Sequence, residues 1–167
     1  HKPQCSDAAR RQTYVQRHVF IVRYCNTRTV LRLMIKLCYK EYEWKASMGA
    51  CKLFAEKTGM DLKRVFCDYI EACINMPDSF GPLDKMQAYS KLHERRIASI
   101  ALHCIIKAAD DSVSLDEIDD ATFRVDWILS DRPDDLSEPW PFVMLNTALE
   151  INAYMNDNIP KKKEADT

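Results

Sequence analysis

Between Ile97 and Ile106 the chain reads IASIALHCII, ten residues of which only Ser99 and His103 are polar. A run of that length is too short to span a bilayer, which takes about 20 apolar residues in a helix. As a helix it is apolar almost all round, and such a helix must be enclosed by others. This one segment therefore sets the architecture: a central helix over about 97–108, with amphipathic helices packed around it.

Helical periodicity elsewhere supplies the surrounding elements. A first helix is expected over about 7–25, with Asp7 as a cap, and a second from about 27 to 44, where Val30, Leu33, Met34, Leu37 and Cys38 follow i, i+3, i+4, i+7, i+8. A third covers about 47–57. Gly59 offers a left-handed stop, and Asp61 caps the next helix, whose stripe is Leu62, Val65, Phe66, Tyr69, Ile70, Cys73 and Ile74. Two prolines and a glycine over 76–82 force a turn before a short helix at 83–89. Ser114 and Glu117 form a capping box that opens a helix to about 129, and Pro139 and Pro141 suit the first turn of a last helix over about 140–156. The expected fold is all-α: a single-domain helical bundle of seven to eight helices around the buried central helix, occupying 1–160, with a disordered tail over 161–167. No strand is expected.

Composition removes several classes of function. Three glycines in 167 residues leave no material for a Rossmann or P-loop phosphate cradle. Seven cysteines without a CxxC pair point neither to zinc nor to a disulfide framework, and thiols on apolar stripes suggest a reducing compartment. The formal net charge of −1 hides a segregation: residues 1–108 hold 19 Lys/Arg against 10 Asp/Glu, and residues 109–160 hold 2 against 13. The simplest consequence is that the acidic helices pack beside the basic ones. No nucleic-acid or membrane partner is expected.

Two constellations could carry chemistry. Asp110, Asp111, Asp116, Glu117, Asp119 and Asp120 cluster as magnesium ligands do, but an EF-hand counted from Asp110 meets Leu115 where glycine is required and Ala121 where glutamate is required. Charge at a helix amino terminus explains the run more simply. Arg96 and His103 lie two helical turns apart on nearly one face, a spacing seen in some helical ribonucleases, yet a satisfied core histidine is the commoner fate of such a residue. The residues thus predict no enzyme, no metal and no cofactor, with a metal-dependent enzyme built on 110–120 as the alternative. A secreted cytokine-type bundle is a further alternative, and it requires disulfides.

The segments TRTVLRLMIKLCYKEYEW, GACKLFAEKTGMDLKRVFCDYIEACINMPDSFGPLDKM, ERRIASIALHCIIKA and WPFVMLNTALEINAYMNDNI, in this order, resemble the poxviral immunomodulators built on the apoptosis-regulator (Bcl) fold. The likeness covers roughly 27–108 and 140–159 and is strongest at NMPDSFGPLDKM, residues 75–86. It implies a Bcl-like bundle without enzymatic activity, frequent homodimerisation, and binding to host signalling or apoptosis proteins in the host cytoplasm. The Asn-Trp-Gly-Arg groove signature of the cellular family is absent here, which favours inhibition of innate immune signalling (NF-κB or interferon induction) through host adaptors or kinases over capture of pro-apoptotic helices. A groove between the helices at 47–57, 61–76 and 83–108 would be the partner-binding site, lined by Leu53, Phe66, Ile70, Met86, Ile97 and Ile100.

Overall fold

The computed structural model describes residues 33–126 and 135–157, and its first element corrects the expected second helix. Strands β1 (Met34–Leu37) and β2 (Lys40–Glu43) pair antiparallel, with Ile35 opposite Tyr42 and Leu37 opposite Lys40. Alternation governs this stretch: Ile35, Leu37, Tyr42 and Trp44 are buried, whereas Met34, Glu41 and Glu43 are exposed. Leu33, Met34, Leu37 and Cys38 also satisfy a helical spacing, and for so short a run the two periods overlap. Cys38 opens the two-residue connection with φ of 54°. That is a position where tight hairpins usually carry glycine. Here neighbouring segments hold it instead: the Cys38 N–H donates to Ser137 Oγ at 3.0 Å, the Ser137 N–H donates to the Cys38 carbonyl at 3.1 Å, and Cys38 Sγ contacts the Ala121 carbonyl at 3.3 Å.

Among the described residues six helices follow, α1 (Met48–Thr58), α2 (Leu62–Asn75), α3 (Pro82–Ser90), α4 (Arg95–Lys107), α5 (Leu115–Asp126) and α6 (Trp140–Asp157). The described residues are mostly helical, with one hairpin, in place of the expected all-α bundle of seven to eight helices, and they do not display a Bcl fold. The expected first helix (7–25) and the tail at 161–167 lie outside the described residues.

Local signals set the boundaries. Ser47 Oγ accepts from the Ala50 N–H at 3.1 Å at the start of α1, and Gly59 ends that helix with φ of 71°. Asp61 caps α2 through the Lys63 N–H at 3.0 Å. In α3, Pro82 takes the first turn while Asp84 reaches back to the Gly81 N–H at 3.2 Å. The turn into α4 is fastened to α2, since His93 Nε2 lies 2.9 Å from Asp68 Oδ2.

Helix α4 is the centre, as its composition requires: every residue from Ala98 to Ile106 is buried. It packs against α1, α5 and α6, while α6 also contacts α2 and β1. Two polar residues lie within that buried stretch. Ser99 Oγ and Thr122 Oγ1 lie 2.7 Å apart, and His103 Nε2 lies 3.1 Å from the Val113 carbonyl. The Lys45 N–H donates to the Ile105 carbonyl at 2.9 Å, which ties the chain leaving the hairpin to the end of α4. Cys51, Cys67, Cys73 and Cys104 are free thiols, the last buried, and burial raises its pKa to about 11.

Candidate functional site

The carboxylates of the acidic run do not converge. Asp110 Oδ1 accepts from the Ser112 N–H at 3.0 Å and its hydroxyl at 2.6 Å, a local turn that lowers the Asp110 pKa. Asp111 pairs with Lys107 at 2.8 Å and Asp120 with Arg124 at 2.8 Å. Asp119 lies between Arg95 at 3.1 Å and Arg96 at 2.9 Å. Glu117 Oε1 accepts from Lys40 Nζ at 2.6 Å and from the Tyr42 hydroxyl at 2.7 Å, and these two bonds, Lys40 first, hold its carboxyl below the usual range. The capping box is therefore half made: Ser114 Oγ accepts from the Glu117 N–H at 3.2 Å, while the glutamate side chain turns to the hairpin. Among the described residues no group of three or more His, Cys, Asp or Glu side chains is placed to hold a metal ion.

Four of these pairs join the basic half of the chain to the acidic half. Lys40, Arg95, Arg96 and Lys107 belong to the basic half, and their partners belong to the acidic half. Arg96 and His103 serve separate roles. Arg96 is exposed beside Asp119, whereas His103 is buried, with Nδ1 unpartnered, and desolvation lowers its pKa so that it sits neutral in the core.

Of the six residues expected to line a groove, Phe66 and Ile100 are buried in the core, Leu53, Ile70 and Ile97 are half-buried and packed against it, and Met86 is half-buried. None of them borders the recess of about 310 Å³ that opens between β1, the segment 136–138 and α6. Its apolar lining is Met34, Ile35, Leu136 and Val143; its polar lining includes Lys36, Glu138, Asn146 and Glu150. Glu138 Oε2 accepts from Asn146 Nδ2 at 3.0 Å. Burial raises the Glu150 carboxyl above its ordinary range. The buried Trp44 indole approaches closely enough to oppose that shift, yet its Nε1 falls outside hydrogen-bond geometry and has no partner.

Sequence reasoning passed over this recess because its walls come from three separated segments. One signal was present: Glu150 is the single charged residue between Trp140 and Asp157. Large apolar side chains stay exposed elsewhere, notably Phe80 and Leu83 at the α2–α3 corner, Leu83 at 70% exposure. Among the described residues no helix is long and apolar enough to cross a membrane. No protein family, curated protein or solved structure matches the chain.

Proposed function

We propose that this chain is a non-enzymatic binding protein that inhibits host innate immune signalling by engaging adaptors or kinases of the NF-κB or interferon-induction pathways. The observation that carries the reading is the α2–α3 corner. It falls within NMPDSFGPLDKM, the strongest part of the resemblance, and leaves Phe80 and Leu83 open to solvent. Exposed apolar side chains gathered at one corner of a small domain are what a partner surface supplies. The pairing of the 110–120 carboxylates with lysine, arginine and serine supports binding over metal-assisted catalysis. The reading keeps the helical order of the resemblance over 48–107 and 140–157, including the enclosed helix, and gives up its helix at 27–44. Homodimerisation belongs to this proposal as well.

Affinity purification of the tagged protein from human cells, with mass spectrometry and a parallel NF-κB reporter, tests it. The reading predicts recovery of a signalling adaptor or kinase together with reporter inhibition, both lost in the double variant Phe80→Ser/Leu83→Ser. A clean purification with an unaffected reporter overturns it.

A further inference from the structure

Among the described residues, no strand pairs with the edge of β1 that lies beside the recess. The Trp44 N–H donates to the Leu33 carbonyl at 3.0 Å, which fixes the phase of the antiparallel pairing. With the register of the hairpin, Leu33, Ile35 and Leu37 direct their backbone groups to β2, and Met34 and Lys36 direct theirs away from it. Among the described residues nothing bonds to those outward groups of Met34 and Lys36. The next outward position, Cys38, is already paired, exchanging two bonds with Ser137. The chain thus shows that this edge accepts a neighbouring segment, and the pairing stops at the point where the recess begins.

The recess supplies what an added strand needs besides backbone partners. Ile35, Leu136 and Val143 offer an apolar wall, and Glu138 and Glu150 stand across from the edge on the 136–138 segment and α6. Lys36 is the one cation of the lining, and the register sets it opposite Glu41 on the other strand. Against this one cation the lining sets two carboxylates, Glu138 and Glu150.

We propose that the β1 edge and its recess form a second docking site, which takes an extended segment of a partner protein as an added antiparallel or parallel strand carrying a lysine or arginine toward Glu138 and Glu150. Backbone bonds to Met34 and Lys36 hold the segment, and the carboxylates select its charge. The site is separate from the Phe80–Leu83 corner, so either can fail without the other.

The test uses the full chain and two capped heptapeptides, acetyl-Thr-Val-Thr-Lys-Thr-Val-Thr-amide and its counterpart with glutamate in place of lysine, followed by amide NMR. The lysine peptide is expected to shift the Met34 and Lys36 amides and slow their exchange. Glu150→Gln and the glutamate peptide should each bind about tenfold more weakly, the loss of one charge-assisted contact. Lys36→Pro removes an outward N–H, which an edge strand tolerates, along with the recess cation, whose loss alone would favour the lysine peptide; the variant should nevertheless abolish binding while the hairpin persists. Should that variant fail to fold, the Glu150→Gln comparison decides. Absence of binding by the lysine peptide, binding that leaves Met34 and Lys36 unmoved, or equal affinity for both peptides overturns the proposal. Loss of reporter inhibition with intact peptide binding would instead count against the signalling function alone.

Discussion

Leu102→Ala is the substitution on which the enclosed-helix argument stands most openly. Leu102 is fully buried in the middle of α4, among residues buried on every side of the helix. Removing its outer methyl groups forfeits about 2 kcal/mol of transfer free energy, and a cavity that rigid neighbours cannot close raises the loss to about 3–4 kcal/mol. For a domain whose whole stability is of order 5–15 kcal/mol, that is a large fraction. At about 3 °C per kcal/mol for a chain of this size, the melting temperature should fall by about 10 °C. Leu83→Ala is the matched control, because Leu83 is 70% exposed and its truncation should cost under about 0.5 kcal/mol. Urea unfolding of both variants against the parent protein reads the difference directly. A loss below about 1 kcal/mol for Leu102→Ala, or equal losses for both variants, would refute the placement of α4.

Three further outcomes follow from particular contacts. Glu150 has a raised folded-state pKa, so its stabilising contribution is present below the unfolded value near 4.3 and lost as pH rises through the folded one; Glu150→Gln should stabilise at pH 7, with the gain closing toward pH 4 in urea titrations. A variant less stable than the parent at pH 7 would contradict the desolvation of that carboxyl. His103 is shifted the other way: its neutral form is the folded one, so stability should drop as pH falls through about 6.5, and His103→Gln should show a smaller drop over the same interval. Ser137→Ala deprives the Cys38 N–H of its acceptor and should cost about 1–2 kcal/mol; no change in the urea midpoint would mean that Ser137 does not hold the hairpin turn.

The helical part of the fold was legible because its signals are local. Ser47, Gly59, Asp61, Pro82 and Ser114 each act within four residues of their own position, and the helices begin and end within one or two residues of where those signals place them, except that α5 is described only to Asp126. The centrality of α4 followed from the lack of any polar face. The hairpin was not legible, for two physical reasons. Four to five apolar residues fit both a helical and an alternating template, and the turn lacks the glycine or asparagine that marks such a connection. Cys38 tolerates its left-handed backbone because Ser137 and Ala121, far along the chain, bind it, and a tertiary cause of that kind leaves no trace in the local sequence. The recess was hidden for the same reason, being assembled from 34–36, 136–138 and 143–150. The acidic run shows the reverse case. Its pattern was plain, but only the structure reveals that part of its charge pairs with Lys40, Arg95, Arg96 and Lys107 of the basic half.

Residue-resolved hydrogen exchange of the native protein tests the central claim most directly, since it reads the hairpin, the open edge and the enclosed helix together. The account predicts an alternation along β1, with Ile35 and Leu37 amides protected by β2 and Met34 and Lys36 amides exchanging fast, and the slowest exchange of all in Ala101 to Ile106. Uniform protection from Leu33 through Trp44, as a helix would give, or rapid exchange within α4, would contradict it.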